Sequence, residues 1–216
     1  MTINLILSDT VRSNIYLSEL IKNKININEI IIYSNKKIKY LKKTIKKNAK
    51  QQNFNFLKCK SINSKLVSKK ILLSKNNDFL FSGYAGEIFK NLQILKKKRI
   101  FHCHPGKIPN FRGSTTIYYS LILNNEIKCT LFRMTKKIDK GQIFFIKSFT
   151  KPKNIKKIEN TFDHFIRANT LISYFKKKQN KPYKKTNTNG NYYYIAHPVI
   201  RYLVLNKGNI KRVLNL

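Results

Sequence analysis

What most constrains the fold of this chain is its opening alternation of short aliphatic runs with segments of helical periodicity. Ile3 to Leu7 and Glu29 to Tyr33 are short runs rich in Ile and Leu, and between them Ile15, Leu17, Leu20 and Ile21 recur at helical spacing. That is a β-α-β opening. Asp78 to Ser82 and Arg99 to His104 repeat the short apolar run ending in turn residues, with Ile88 to Leu95 as the connecting helix or turn. Strands and helices that alternate this way predict an α/β fold: a Rossmann-like, mostly parallel sheet with helices on both faces.

The second half adds to that frame. Thr116 to Leu123 is apolar and follows Ser114 and Thr115, either of which can cap a helix start. Lys128 to Met134 and Gln142 to Phe149 read as strands joined by the loop Thr135 to Gly141. Ile158 to Phe175 carries Phe162, Phe165, Ile166, Ala168, Leu171, Ile172 and Phe175, an amphipathic helix to dock on the sheet. Lys176 to Gly190, rich in Lys, Asn and Thr and containing Pro182, reads as a linker, and Tyr192 to Leu205 as a small C-terminal β appendage. The expected division is therefore residues 1–175 as the main domain and 176–216 as linker and appendage.

Composition narrows the function classes. With 42% hydrophobic residues, 216 residues can bury a core of one domain. No apolar run reaches the roughly 18 residues that a membrane span needs. Met1 to Leu7 has no basic segment ahead of it and reads as a first strand, so a cytoplasmic protein without a membrane partner is expected. Cys59, Cys103 and Cys129 are odd in number and form no CxxC, which predicts reduced thiols. The formal net charge of +36 would ordinarily suggest nucleic acid, but the lysines are spread from Lys22 to Lys211 among abundant Asn and Ile. A coding bias explains that spread better than a binding face does. Clusters such as Lys36-Lys37, Lys46-Lys47, Lys96-Lys97-Lys98 and Lys176-Lys177-Lys178 are expected as solvated surface, with a general attraction for phosphorylated or polyglutamylated substrates.

Four segments can carry chemistry: His102-Cys103-His104, the loop Pro105 to Gly113, Ile138 to Ile143, and the turn Ser82 to Gly86. His102 and His104 lie two apart at a strand end, so both side chains point to one face, and in an open α/β sheet the carboxyl ends of the strands hold ligands. Asp139 sits in a turn, where an Asp is commonly an Asx-turn residue. From the residues alone three readings stay open. One is acid–base chemistry by a histidine beside a carboxylate; another is a metal held by His102, His104 and Asp139; the third is a binding module that uses the basic charge for RNA.

The order His104-Pro105-Gly106-x-x-Pro109-x-x-Arg112-Gly113, followed by Ile138-Asp139-x-Gly141-x-Ile143, resembles the signature of the folate-dependent formyltransferases. That family includes the glycinamide ribonucleotide, methionyl-tRNA and sugar N-formyltransferases. The resemblance implies the formyltransferase type of α/β fold, 10-formyltetrahydrofolate as formyl donor, a small-molecule amine as acceptor, and no metal. It makes His104 the histidine that bonds the developing oxyanion and assists proton movement, and Asp139 the group that orients it. His102 stands where the family carries Asn, and an imidazole N–H can donate as a carboxamide does; such a donor is worth roughly 3–4 kcal/mol. Ser82, Gly83, Tyr84, Ala85, Gly86, Ile88, Thr135 and Ile138 would line the folate, and Arg112, Gly113, Ser114 and Thr115 would meet the acceptor. Glu87 departs from the basic or apolar residue of relatives. The turn Ser8 to Asn14 lacks the glycine-rich phosphate loop of the glycinamide ribonucleotide enzymes, and too few residues follow Phe175 for the barrel of the methionyl-tRNA enzymes. The acceptor implied is a nucleotide-linked amino sugar. For the tail, packing on the sheet, a homodimer contact and a substrate role for its tyrosines all stay open.

Overall fold

The computed structural model describes residues 2–152, 154–177 and 190–206. Its first elements are β1 (Ile3–Ser8), α1 (Val11–Lys22), β2 (Ile27–Ser34), α2 (Lys42–Asn48), β3 (Phe54–Lys58), α3 (Lys65–Leu73), β4 (Asp78–Ser82), α4 (Leu92–Lys97) and β5 (Arg99–His104). Then come β6 (Phe111–Gly113), α5 (Thr116–Asn124), β7 (Ile127–Arg133), β8 (Ile143–Phe149), a 3-10 turn (Ile155–Lys157), a π turn (Ile158–Phe162), α6 (Asp163–Lys176), β9 (Asn191–Tyr193) and α7 (Pro198–Asn206). Seven strands form one mostly parallel sheet in the order β3-β2-β1-β4-β5-β7-β8, as the alternating pattern predicts, with β8 antiparallel to β7. The chain divides into two compact units, Met1–His102 with Arg133–Lys137 and Ile172–Gln179, and Cys103–Phe132 with Ile138–Leu171 and Asn180–Leu216.

In the first unit β1 pairs in parallel with β2 on one side and β4 on the other, β3 lies beyond β2, and β5 beyond β4. Burial runs through consecutive residues, Leu5 to Leu7, Ile30 to Tyr33 and Phe79 to Phe81. A strand covered on one face alone would alternate. Helix α1 buries Ser13, Tyr16, Leu17 and Leu20, one face at helical spacing, and its Thr10 cap accepts from the Ser13 amide. The chain winds outward from β1 to β3 and then crosses back to β4, so the strand order reverses between β1 and β4. In doubly wound sheets that is where a crevice opens at the carboxyl ends.

In the second unit β7 and β8 form the antiparallel edge, and β6 and β9 form a separate two-stranded parallel sheet. Four expectations need correcting. The tail is β only over Asn191–Tyr193; Pro198 then starts helix α7, because its fixed φ suits the first helical position and overrides the β-branched residues behind it. Thr115 occupies the N-cap position of α5, but its side chain caps no amide of the helix: it has φ +50 and its hydroxyl accepts from the Ala196 amide instead. The helix expected from Ile158 opens as a π turn and becomes α-helical at Asp163. Lys98 is buried, not solvated, and its ammonium donates to the Ser74 and Asn76 carbonyls and the Asn77 side chain at 2.6, 3.2 and 3.1 Å. Of the expected linker, residues 178–189 lie outside the described residues. No described helix is long and apolar enough to cross a membrane.

Candidate active site

In the first unit the reversal between β1 and β4 is built from small polar side chains. The Ser13 hydroxyl bonds the Ser82 carbonyl at 3.0 Å and lies 2.9 Å from the Ser82 hydroxyl, and Ser8 also donates to that carbonyl. Arg12, in the first turn of α1, donates from Nε to the Ser82 hydroxyl and from Nη2 to the Gly83 carbonyl. The turn after β4 is therefore clasped from α1. Gly83 is required there, since a Cβ would stand 2.1 Å from the Phe81 ring and 2.7 Å from the Glu87 carboxylate.

Glu87 explains its own departure from the family pattern. Its carboxylate accepts from the Tyr84 amide (2.8 Å), the Ile62 amide (3.1 Å) and the Tyr33 hydroxyl, closing the turn upon itself. Burial and Glu87 push the Tyr33 phenol far up, so it stays protonated as a donor. Tyr84 packs edge-on against Tyr33, Ala85 and Gly86 are exposed, and Gly86 adopts φ +77. The Ile88 carbonyl accepts from Asn63, and Thr135 closes a turn with Lys137. His102 presents Nδ1 to the Phe81 carbonyl at 3.1 Å. A carbonyl only accepts, so the neutral ring carries its hydrogen on Nδ1, and Nε2 donates only from the imidazolium.

The second unit holds His104, 3% exposed at the end of β5. Its Nε2 lies 2.8 Å from the Phe111 carbonyl and 3.2 Å from the Thr116 hydroxyl, which itself donates to the Pro105 carbonyl at 2.7 Å. Both neighbours accept, so Nε2 carries the hydrogen. Gly106 makes this possible: a Cβ would stand 2.9 Å from Nε2 and 2.8 Å from the Phe111 carbonyl. Nδ1 then faces the Asp139 carboxylate at 3.4 Å, and the same oxygen, Oδ2, accepts from the Gly113 amide at 2.8 Å. Asp139 reaches this position at φ +48, a left-handed conformation that Asp tolerates better than most residues.

Burial is the dominant pressure on His104 and lowers its pKa; Asp139 opposes it, Arg167 adds to it, and the Phe111 carbonyl and Asp163 oppose it further. The result is an imidazole that is neutral near pH 7, with a bare Nδ1 beside a carboxylate ready to stabilise a proton there. Arg167 is fixed by Asp163 at 2.9 Å and by the Cys103 carbonyl at 2.6 Å. Burial raises the Cys103 thiol, which leaves it inert.

Of the expected acceptor-side residues, Arg112 is buried, donates to the Gly190 carbonyl and leaves Nε without a partner among the described residues. Gly113 serves Asp139, Ser114 donates its amide to the Tyr193 carbonyl, and Thr115 holds Ala196. Ile138 is 43% exposed. Sequence reasoning missed Arg12, Ser13, Thr116 and Arg167. Arg167 had a signal, a charge between Ile166 and Ala168 on a helix face that must pack; Arg12 had its place in the first turn after β1. No group of three His, Cys, Asp or Glu among the described residues is arranged to hold a metal ion.

No protein-family model matches the sequence, and neither does any curated protein sequence. Solved structures do match. A 4-N formyltransferase from Francisella tularensis is 17% identical at a TM-score of 0.59, over 94% of this chain and 86% of its own. Glycinamide ribonucleotide transformylase 1 from Symbiobacterium toebii is 14% identical at 0.59, over 82% and 89%. WlaRD, a sugar 3N-formyl transferase whose structure was determined in the presence of dTDP and 5-N-formyl-THF, is 19% identical at 0.56, over 90% and 69%. At these identities the likeness speaks for architecture, and the chain has the fold of the formyltransferases.

Proposed function

We propose that this protein transfers a formyl group from 10-formyltetrahydrofolate to the primary amine of a nucleotide-linked amino sugar, with residues 1–175 as the catalytic domain. The observation that carries the reading is the buried His104, with Nε2 on the Phe111 carbonyl at 2.8 Å and Nδ1 facing Asp139 at 3.4 Å. Around it stand the fold and the motif, and the solved structures of like fold include sugar formyltransferases.

The turn after β4 fits a flat, hydrogen-bonding donor. Ser82, Gly83, Ala85 and Gly86 are small, Ala85 and Gly86 are exposed, and Gly86 has nothing within 4 Å of a Cβ position. Ser82 to Gly86 with Ile88, Thr135 and Ile138 would hold the folate, which when bound supplies the formyl carbon. An attacking amine must lose a proton. His104 would receive it at Nδ1, where the Asp139 carboxylate would stabilise the imidazolium and the Gly113 amide keeps that carboxylate in position, and would return it to the folate nitrogen as the bond from that nitrogen to the formyl carbon breaks. His102 is the candidate donor to the carbonyl oxygen as negative charge builds on it, from Nε2 of the imidazolium, since Nδ1 is held by the Phe81 carbonyl. Arg112, Gly113, Ser114 and Thr115 shape the acceptor side.

The test is a formyl-transfer assay with 10-formyltetrahydrofolate and a panel of nucleotide amino sugars. Asp139→Asn and His104→Ala are each expected to lower kcat on the order of 10²–10⁴-fold, the range of a lost general base. Variants that match the wild type would remove the site assignment; wild-type activity on simple amines but on no amino sugar would remove the acceptor.

A further inference from the structure

The geometry points to the C-terminal segment Gly190–Ala196 as the element that positions the His104–Asp139 pair, acting through β6. This rests on the function proposed above but concerns residues outside the motif. Strand β6 is three residues long, too short to hold a register by itself. Successive residues of a strand turn their backbone groups to opposite edges. One edge of β6 serves the pair: the Phe111 carbonyl accepts from His104 and the Gly113 amide donates to Asp139. The other edge belongs to β9, in the register Arg112↔Tyr192, with the Ser114 amide donating to the Tyr193 carbonyl at 2.9 Å.

Side chains hold the same junction. The Tyr193 ring stacks on Phe111 at 5.4 Å and packs on Tyr119 at 4.5 Å. Arg112 reaches the Gly190 carbonyl. Thr115, a β-branched residue in a left-handed conformation that disfavours it, is held there by the Ala196 amide at 2.7 Å. Both glycines at the junction are demanded by its closeness: a Cβ on Gly113 would stand 2.1 Å from the Tyr193 carbonyl, and one on Gly190 would stand 2.0 Å from the Pro109 carbonyl.

The consequence is chemical. While β9 holds β6, the Phe111 carbonyl pins the hydrogen of His104 to Nε2 and leaves Nδ1 as the acceptor. If β6 shifts, the ring loses that partner, either nitrogen can carry the hydrogen, and Gly113 no longer fixes Asp139. The groups that set the charge around His104 are Asp139 on its loop and Arg167 and Asp163 on α6; Phe111 and Thr116, from β6 and α5, are neutral. Tyr193 is thus a positioning residue.

The test uses the full chain with Tyr193→Ala and Tyr193→Phe. Nitrogen-15 NMR of the imidazoles reads tautomer and titration midpoint, and four histidines keep the spectrum tractable. Wild type and Tyr193→Phe should show His104 as the Nε2–H tautomer. Tyr193→Ala should show a mixture, a midpoint moved back toward an ordinary histidine, and kcat lower by about tenfold or more with KM for the donor unchanged, because a misplacement of about 1 Å can cost 10²-fold. Wild-type tautomer, midpoint and kcat in Tyr193→Ala would overturn the proposal. Should that variant fail to fold, Gly190→Ala displaces the same segment at Pro109 and must give the same changes, or the proposal falls. If the wild type transfers no formyl group to any acceptor, the function is wrong, and the NMR comparison alone decides the role of β9.

Discussion

A buried imidazole beside a carboxylate titrates under opposing pressures, and in His104 burial wins. Above about pH 6.5 the ring is neutral both folded and unfolded, so it adds no pH dependence there. As the pH falls from that value toward the lowered folded one, the unfolded chain takes up the proton first, and stability is lost. His104→Asn should flatten this part of the profile, read as denaturation midpoints between pH 7.5 and 5; equal slopes in both proteins would contradict the assignment. His102 carries a different prediction. With its Nδ1 hydrogen committed to Phe81, the neutral ring cannot donate to an oxyanion, whereas a carboxamide can at any pH. His102→Asn is therefore expected to raise kcat at pH 8 by about tenfold, a fraction of what one oxyanion donor is worth. A kcat that stays level or falls would show that His102 acts otherwise. Neither tautomer was legible in the sequence, because each is set by a carbonyl brought in by folding.

At the scale of elements, helix ends and buried turns carry the predictions. Thr10 caps α1 just below Arg12 and Ser13, the residues that clasp the turn after β4. Thr10→Ala should cost about 1 kcal/mol in denaturant unfolding. Lys98 ties the segment after α3 to the strand that follows α4 by three donated bonds. Lys98→Met leaves those acceptors unsatisfied and should cost about 1–3 kcal/mol, measured in the same way, where a solvated lysine would cost almost nothing. The contrast shows where sequence pattern fails. Lys96, Lys97 and Lys98 form one run, and only the packing around residue 98 distinguishes the third. Likewise α2, KKTIKKN, has no apolar stripe to announce it, and the π turn before α6 leaves no mark on the periodicity.

For the molecule as a whole the decisive quantity is charge. With 45 Lys and Arg against 9 Asp and Glu, self-repulsion in the compact state is large and screenable. Raising ionic strength from about 0.01 to 0.15 M shortens the Debye length from about 30 to 8 Å and should raise Tm; a Tm that is flat or falls with salt would show that local ion pairs outweigh the net repulsion. The sequence by itself determined the parallel sheet, since uninterrupted apolar runs separated by helical periodicity have few other ways to be buried, and it determined the chemical types at the candidate site, since His104 and Asp139 lie in a spaced motif. Only the tertiary structure decided which nitrogen of His102 and of His104 carries its hydrogen, that Arg167 stands beside His104, and that the tail contributes a strand before its helix. Those outcomes depend on backbone groups and charges far apart along the chain, which no local pattern encodes and which acquire meaning only when packing removes water from between them.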